Sequence, residues 1–143
     1  SIRPWWKNVT RALRKEPKYF LWDWSAVDDE GARFENFVAS ALMKAVHCWT
    51  DIGEGDFGLH FIRDKQKNEV DFLISSDGKP WILIEVKSSE KKSLSKSLLR
   101  FQEQLGVRHV FQVARDAKFV NVDCFSLEKP MIVPARTFLS QLV

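Results

Sequence analysis

The longest patterned stretch of apolar residues runs from about Ala32 to Trp49. Phe34, Phe37, Val38, Ala41, Leu42, Ala45, Val46 and Trp49 recur at helical spacing, so they define one face of an α-helix. Asp28, Asp29 and Glu30 precede it, where acids suit the positive end of the helix dipole, and the acidic, glycine-rich stretch from Asp51 to Asp56 stops it. Three strand-like runs follow: Phe57 to Arg63, Glu69 to Ser75, and Trp81 to Lys87. The segment Ser76-Asp-Gly-Lys-Pro80 is a hairpin turn signal between the second and third. Ser93 is placed to cap a second helix with Leu94, Leu98, Phe101 and Leu105 as its buried stripe and Gly106 as its stop. Arg108 to Ala114 and Phe119 to Phe125 read as two more strands, and Met131 to Pro134 with a short helix, Ala135 to Leu142, finishes the chain. Ahead of all this, a helix around Val9 to Lys15 and a short strand at Tyr19 to Trp24 are expected. Helix, three strands, helix, two strands predicts the α/β class with a mixed sheet flanked by helices.

Composition adds bounds. A chain of 143 residues, 45% apolar, suits one compact domain. The net charge of +3 is compatible with a nucleic-acid partner but does not argue for one alone. Cys48 and Cys124 make neither a disulfide framework nor a zinc cluster and read as reduced thiols. With no charged leader before an apolar core and no apolar run long enough for a bilayer, a soluble cytoplasmic protein is expected. The opening Ser1-Ile-Arg-Pro-Trp-Trp6 lacks an initiator Met, and residues 1 to 24 hold four of the six tryptophans. These rings either close this domain's core or once met a neighbour. The expectation is the second: residues 1–30 as an extension from a preceding module of a longer protein, and 31–143 as the domain proper.

The candidate chemistry lies on the strands. Glu-x-Lys occurs three times, at Glu16/Lys18, Glu85/Lys87 and Glu90/Lys92, where 9 Glu and 13 Lys in 143 residues give about one copy by chance. Only Glu85/Lys87 ends a strongly apolar strand. Residues two apart on a strand point the same way, so Glu85 and Lys87 share a face with Leu83 and Trp81, while Ile82, Ile84 and Val86 fill the other. Charges inside so apolar a strand carry a desolvation cost that suggests a purpose. In Glu69-Val-Asp-Phe-Leu-Ile74, Val70, Phe72 and Ile74 share one face, and Glu69, Asp71 and Leu73 the other. An odd-length hairpin loop sets Asp71 opposite Glu85 at about 5 Å between Cβ atoms. A two-residue Asp77-Gly78 turn would instead set Asp71 opposite Ile84. The odd loop is expected. Two bare carboxylates so placed resist ionising together unless a cation lies between them. The same register sets Glu69 against Lys87, which offers a plainer account: a cross-strand ion pair with no chemistry. Glu35 falls at the edge of the first helix's apolar face, on the side of Leu42 and Val46, within reach of the sheet; the plain alternative is a solvated glutamate.

A helix with an inward Glu, a hairpin bearing Asp, then Glu-x-Lys and a second helix resembles the PD-(D/E)XK phosphodiesterases. More closely, the chain resembles the nuclease-like C-terminal domain of unknown function that follows the AAA+ ATPase module in many prokaryotic ATPases. The residues carrying this are Pro17-Lys-Tyr-Phe-Leu-Trp-Asp23, Gly31-Ala-Arg-Phe-Glu-Asn36, Glu69-Val-Asp-Phe72 and Glu85-Val-Lys-Ser88. One departure is that Val70 stands where the nuclease signature has proline.

The resemblance implies a restriction-endonuclease-like core and a catalytic set of Asp71, Glu85, Lys87 and Glu35. Asp71, Glu85 and the carbonyl of Val86 are hard oxygen donors that suit Mg²⁺ or Mn²⁺. Glu35 would be an outer ligand or recruit a second ion, and Lys87 would orient the attacking water or stabilise developing charge. The implied partners are nucleic acid, with DNA favoured, and an N-terminal AAA+ ATPase module in cis; no membrane is involved, and the oligomeric state stays open. No G-x-x-x-x-G-K-[ST] phosphate loop occurs, so ATPase activity would belong to that other module. Lys92, Lys96 and Arg100 on the second helix, with Arg63, Lys65 and Lys67 before the Asp71 strand, are candidate phosphate contacts, although a solvated helix face explains the first row equally well. His47, His60 and His109 lack metal-ligand spacing and read as structural. The alternative to a metal-dependent nuclease is a catalytically silent nucleic-acid-binding or regulatory module of the ATPase.

Overall fold

The computed structural model describes residues 1–13, 16–21, 23–89, 93–126 and 128–142. Its centre is the predicted first helix, α1, Glu30–Asp51. Asp29 caps it by accepting from the backbone N–H of Ala32 at 2.7 Å. Val38, Leu42 and Ala45 on its inner face are fully buried, and they lie on a six-stranded mixed sheet.

The strands are β1 (Arg3–Pro4), β2 (Phe57–Arg63), β3 (Glu69–Ser76), β4 (Lys79–Lys87), β5 (His109–Ala114) and β6 (Met131–Pro134), side by side in that order. The β2–β3–β4 meander is antiparallel, while β1–β2, β4–β5 and β5–β6 are parallel. A helix, α2 (Lys96–Leu105), links β4 to β5, and α3 (Ala135–Leu139) follows β6. Alternation along β4 separates two cores: Ile82 and Ile84 pack with α1 and α3, whereas Leu83 packs with Leu98 and Phe101 of α2. Among the described residues no helix is long and apolar enough to cross a membrane.

Residues near the start of the chain belong to this packing. β1 extends the sheet beside β2, and Trp5 and Val9 are buried in the α2-side core. Trp6, Tyr19 and Leu21 stay exposed. The described part of the Val9 to Lys15 stretch is not helical, because Asn8 and Arg11 hold φ of 61° and 55°, outside the helical region. Arg14 and Lys15 lie outside the described residues.

Among the described residues two expected strands are absent for a shared reason: side chains take the backbone groups that a ladder would need. At Tyr19 to Trp24, the Asn36 carboxamide accepts from the N–H of Leu21 at 2.9 Å and donates to its carbonyl at 2.6 Å. A 3-10 turn over Trp24–Ala26 follows, and Trp22 lies outside the described residues. At Phe119 to Phe125, the Thr137 hydroxyl accepts from the N–H of Val120 at 2.9 Å and donates to its carbonyl at 2.8 Å. Gln141 likewise binds the carbonyl of Val122 and the N–H of Cys124. The last strand is therefore β6, beside β5. Cys124 is buried there without a disulfide, and Cys48 is half-buried.

The second helix begins later than expected. Ser95, not Ser93, caps it, accepting from the N–H of Leu98 at 3.0 Å. Gly106 ends it with φ 64°, as its position predicts.

The hairpin between β3 and β4 departs from expectation in an instructive way. Its tip is the two-residue Asp77-Gly78 turn, with φ of 51° and 79°, and Ser76 pairs with Lys79. The expected odd loop is absent. Yet the pairing shifts between Ser75↔Pro80 and Ile74↔Ile82, so Trp81 is an extra residue bulged out of β4. Beyond it Leu73 meets Leu83 and Phe72 meets Ile84, the register that an odd loop would have produced.

Candidate functional site

β3 enters and β4 leaves at one end of the sheet, where the start of α1 also arrives. A Cβ added to Gly31 would lie 3.9 Å from Ser88 Oγ, just past β4. Chain leaving β5 closes the same corner: the N–H groups of Arg115 and Asp116 donate to the carbonyls of Lys87 and Ser88 at 3.0 and 3.1 Å.

A second irregularity falls at Asp71. On β2 the pairing steps from His60 to Ile62, two residues, while on β3 it steps from Leu73 to Val70, three. The simple alternation of the sequence is therefore corrected: Val70 joins Leu73 in the α2-side core, and Phe72 and Ile74 face α1. Asp71 sits at the changeover. The recorded β3–β4 pairs end at Phe72↔Ile84, and the Asp71 carboxylate continues the contact in their place. Its Oδ2 accepts from the N–H of Val86 at 2.8 Å.

The electrostatics of Asp71 follow from that seat. Burial, then the neighbouring Glu35 carboxylate, then Glu85, push its pKa up to about 7, against the lowering effects of the Val86 N–H and the Lys18 ammonium. Glu35, one turn into α1, is also raised, first by burial and then by Glu69, with Lys18 opposing. The structure thus brings Glu35 and Glu85 into electrostatic reach of Asp71 from two different elements.

Glu85 is 8% exposed. Its Oε2 is buried and has no hydrogen-bond partner among the described residues, while Oε1 lies 4.0 Å from the Lys87 ammonium. An orphaned carboxylate oxygen in a buried position calls for a proton, a water or a cation. Glu69 does not meet Lys87. It is held instead by Lys18 and by Arg63, the latter at 3.2 Å.

Lys18 joins the site without a role that could be read from its neighbours in the sequence. It contacts Glu69, lies 3.9 Å from Glu35 and crosses the Phe61 ring at 4.9 Å from its centroid. Glu16/Lys18 is a chance-level Glu-x-Lys, and the convergence of Lys18 on Glu35 and Glu69, 17 and 51 residues away, leaves no local pattern. Its place within Pro17-Lys-Tyr-Phe was the one signal.

Among the described residues no group of three or more His, Cys, Asp or Glu is arranged to hold a metal ion. Mg²⁺ needs less than that, since it binds through one or two carboxylates and completes its shell with water and phosphate oxygens. Asp71 and the orphaned oxygen of Glu85 meet that requirement. The histidines stay apart from it: His60 contacts Ser75 at 3.2 Å, His109 is buried among aromatic rings, and His47 is exposed.

Positive charge lies on both sides. Lys65 and Lys67 are exposed on the β2–β3 turn, beside an open hollow of about 410 Å³ that Arg63 and Glu69 also line. Lys96 and Arg100 are exposed on α2; Arg100 donates to Gln66 at 3.0 Å, and Lys92 lies outside the described residues. Across α1 an open groove of about 710 Å³ is lined by Arg33, Arg115 and Arg136 over Phe34 and Leu139.

A family model described as a domain of unknown function, DUF4143, matches residues 30–128. That span contains the Gly31–Asn36, Glu69–Phe72 and Glu85–Ser88 motifs and leaves Pro17–Asp23 outside. No curated protein and no solved structure matches the chain.

Proposed function

The chain belongs to the DUF4143 family, and from that premise we propose that it is a PD-(D/E)XK nuclease-like domain that hydrolyses phosphodiester bonds of nucleic acid with Mg²⁺ or Mn²⁺. The observation that carries the proposal is the pairing of a raised, strand-bound Asp71 with a buried Glu85 whose Oε2 has no partner. Bound there, the ion would supply a water of lowered pKa and polarise the scissile phosphate. Asp71, Glu85 and the Val86 carbonyl would hold it, and Glu35 would act from the outer shell. Lys87, whose ammonium lies 4.0 Å from Glu85, would orient the attacking water or offset negative charge developing on phosphate. Lys65, Lys67 and Lys96 would take the nucleic-acid backbone in salt-sensitive contacts. The family commonly follows AAA ATPase modules, which supports an AAA+ ATPase in cis as the partner.

A specific observation favours a second function, a catalytically silent nucleic-acid-binding or regulatory module. Lys18 already offsets Glu35 and Glu69, and Asp71 can stay neutral by keeping its proton. The test is Mg²⁺-dependent cleavage of DNA and RNA by the wild type, Asp71→Asn and Lys87→Ala, beside Mn²⁺ titration of thermal stability. The nuclease gains stability with Mn²⁺ by mass action, loses that gain in Asp71→Asn, and cleaves only as wild type. Equal cleavage by all three proteins, or a stability indifferent to Mn²⁺, would overturn it.

A further inference from the structure

Lys18 is fixed from both sides. Its backbone exchanges two hydrogen bonds of 2.8 Å with Ile2, and three residues on, Leu21 is held at both backbone groups by Asn36 of α1. The side chain is 21% exposed and ends between a carboxylate of α1 and one of β3. Among the described residues, Glu35 makes no other ion pair, whereas Glu69 is also held by Arg63.

Carboxylates crowded at the edge of a sheet need positive charge nearby. In sites that use two metal ions, about 4 Å apart, the second ion supplies it. Here a tethered ammonium stands among those oxygens. We infer that Lys18 is a built-in counter-cation that occupies the place of a second divalent ion at Glu35 and Glu69, so that the domain takes one ion rather than two. This deepens the nuclease proposal, since the single ion is the one assigned to Asp71 and Glu85. Lys18 is thereby a positioning residue: it keeps Glu35 from binding metal directly and confines the ion to the β3–β4 seam.

The experiment is Mn²⁺ titration by calorimetry, with electron paramagnetic resonance to detect coupled ion pairs. Wild type and Lys18→Arg are expected to bind one Mn²⁺. Lys18→Met is expected to bind two, and the double variant Lys18→Met/Glu35→Gln to return to one. A merely structural lysine would not change the stoichiometry. Circular dichroism checks the fold, and Lys18→Gln, which keeps a polar head, stands in where Lys18→Met does not fold. Two ions in wild type, or one in Lys18→Met at unchanged affinity, would overturn the inference and leave the nuclease proposal intact. No ion in wild type would sink that proposal instead. The count of one ion would fall with it; the placement of Lys18 in a divalent ion's stead would stand if Lys18→Met gained a single Mn²⁺ that adding Glu35→Gln removes, and fall if it gained none.

Discussion

The N–H of Val86 donates to Oδ2 of Asp71 at 2.8 Å, so a side chain continues the contact where the recorded strand pairing stops. That bond anchors the carboxylate to β4, beside Glu85, while burial and Glu35 keep it reluctant to ionise.

Stability should consequently depend on pH through Asp71. Its native pKa of about 7 lies above the ordinary 3.8, so between those values the folded chain holds a proton that the unfolded chain has lost. The contribution is complete below about pH 4 and disappears as pH rises through about 7. In metal-free protein, Asp71→Asn should flatten this window and be more stable than wild type at pH 8, by roughly 1–3 kcal/mol. Urea unfolding at pH 5, 6.5 and 8 measures it; parallel curves for the two proteins would contradict the assignment.

Lys87→Ala should separate chemistry from metal binding. In the proposed mechanism Lys87 neighbours Glu85 without holding the ion, so Mn²⁺ should still stabilise the variant while cleavage falls by about a hundredfold or more. Single-turnover cleavage beside thermal shift reads both. Loss of the Mn²⁺ effect would mean that the lysine organises Glu85 rather than the reaction.

Asn36→Ala should loosen the segment that carries Lys18. Asn36 is 5% exposed and satisfies both backbone groups of Leu21. Losing that pair of bonds should cost about 1–3 kcal/mol, with faster hydrogen exchange over residues 16–21. An unchanged exchange pattern would show that the bonds to Ile2 suffice.

Gly106→Ala tests the end of α2. A Cβ there would meet nothing within 4 Å, yet φ is 64°, so the cost is backbone strain alone, about 1 kcal/mol. Gly106→Asn should cost less, because Asn tolerates that conformation better. Thermal melts of the two variants rank them.

The sequence carried the elements that its periodicity could specify. α1, the three meander strands, β5 and the stop at Gly106 follow from apolar spacing and turn residues. Phe119 to Phe125 misled because it has strand composition, while the partners that replace its ladder, Thr137 and Gln141, lie well downstream. At the site, Asp71, Glu85 and Lys87 stood out as charges in apolar strands. The changeover at Asp71 did not, since a bulge follows from pairing with β2 and not from the alternation of β3 itself. Lys18 was hidden for the same kind of reason: its partners are brought to it by tertiary structure.

The extra residue at Trp81 has a consequence for how the hairpin can change. A two-residue tip with one bulge and a three-residue tip with a straight strand are equivalent in parity: both deliver Phe72 to Ile84. Lengthening the tip by one is thus tolerable only when β4 gives up its surplus position, and the two edits should be neutral together and harmful apart. Loop length and strand regularity in this hairpin therefore act as a single variable, in which only their sum sets the register.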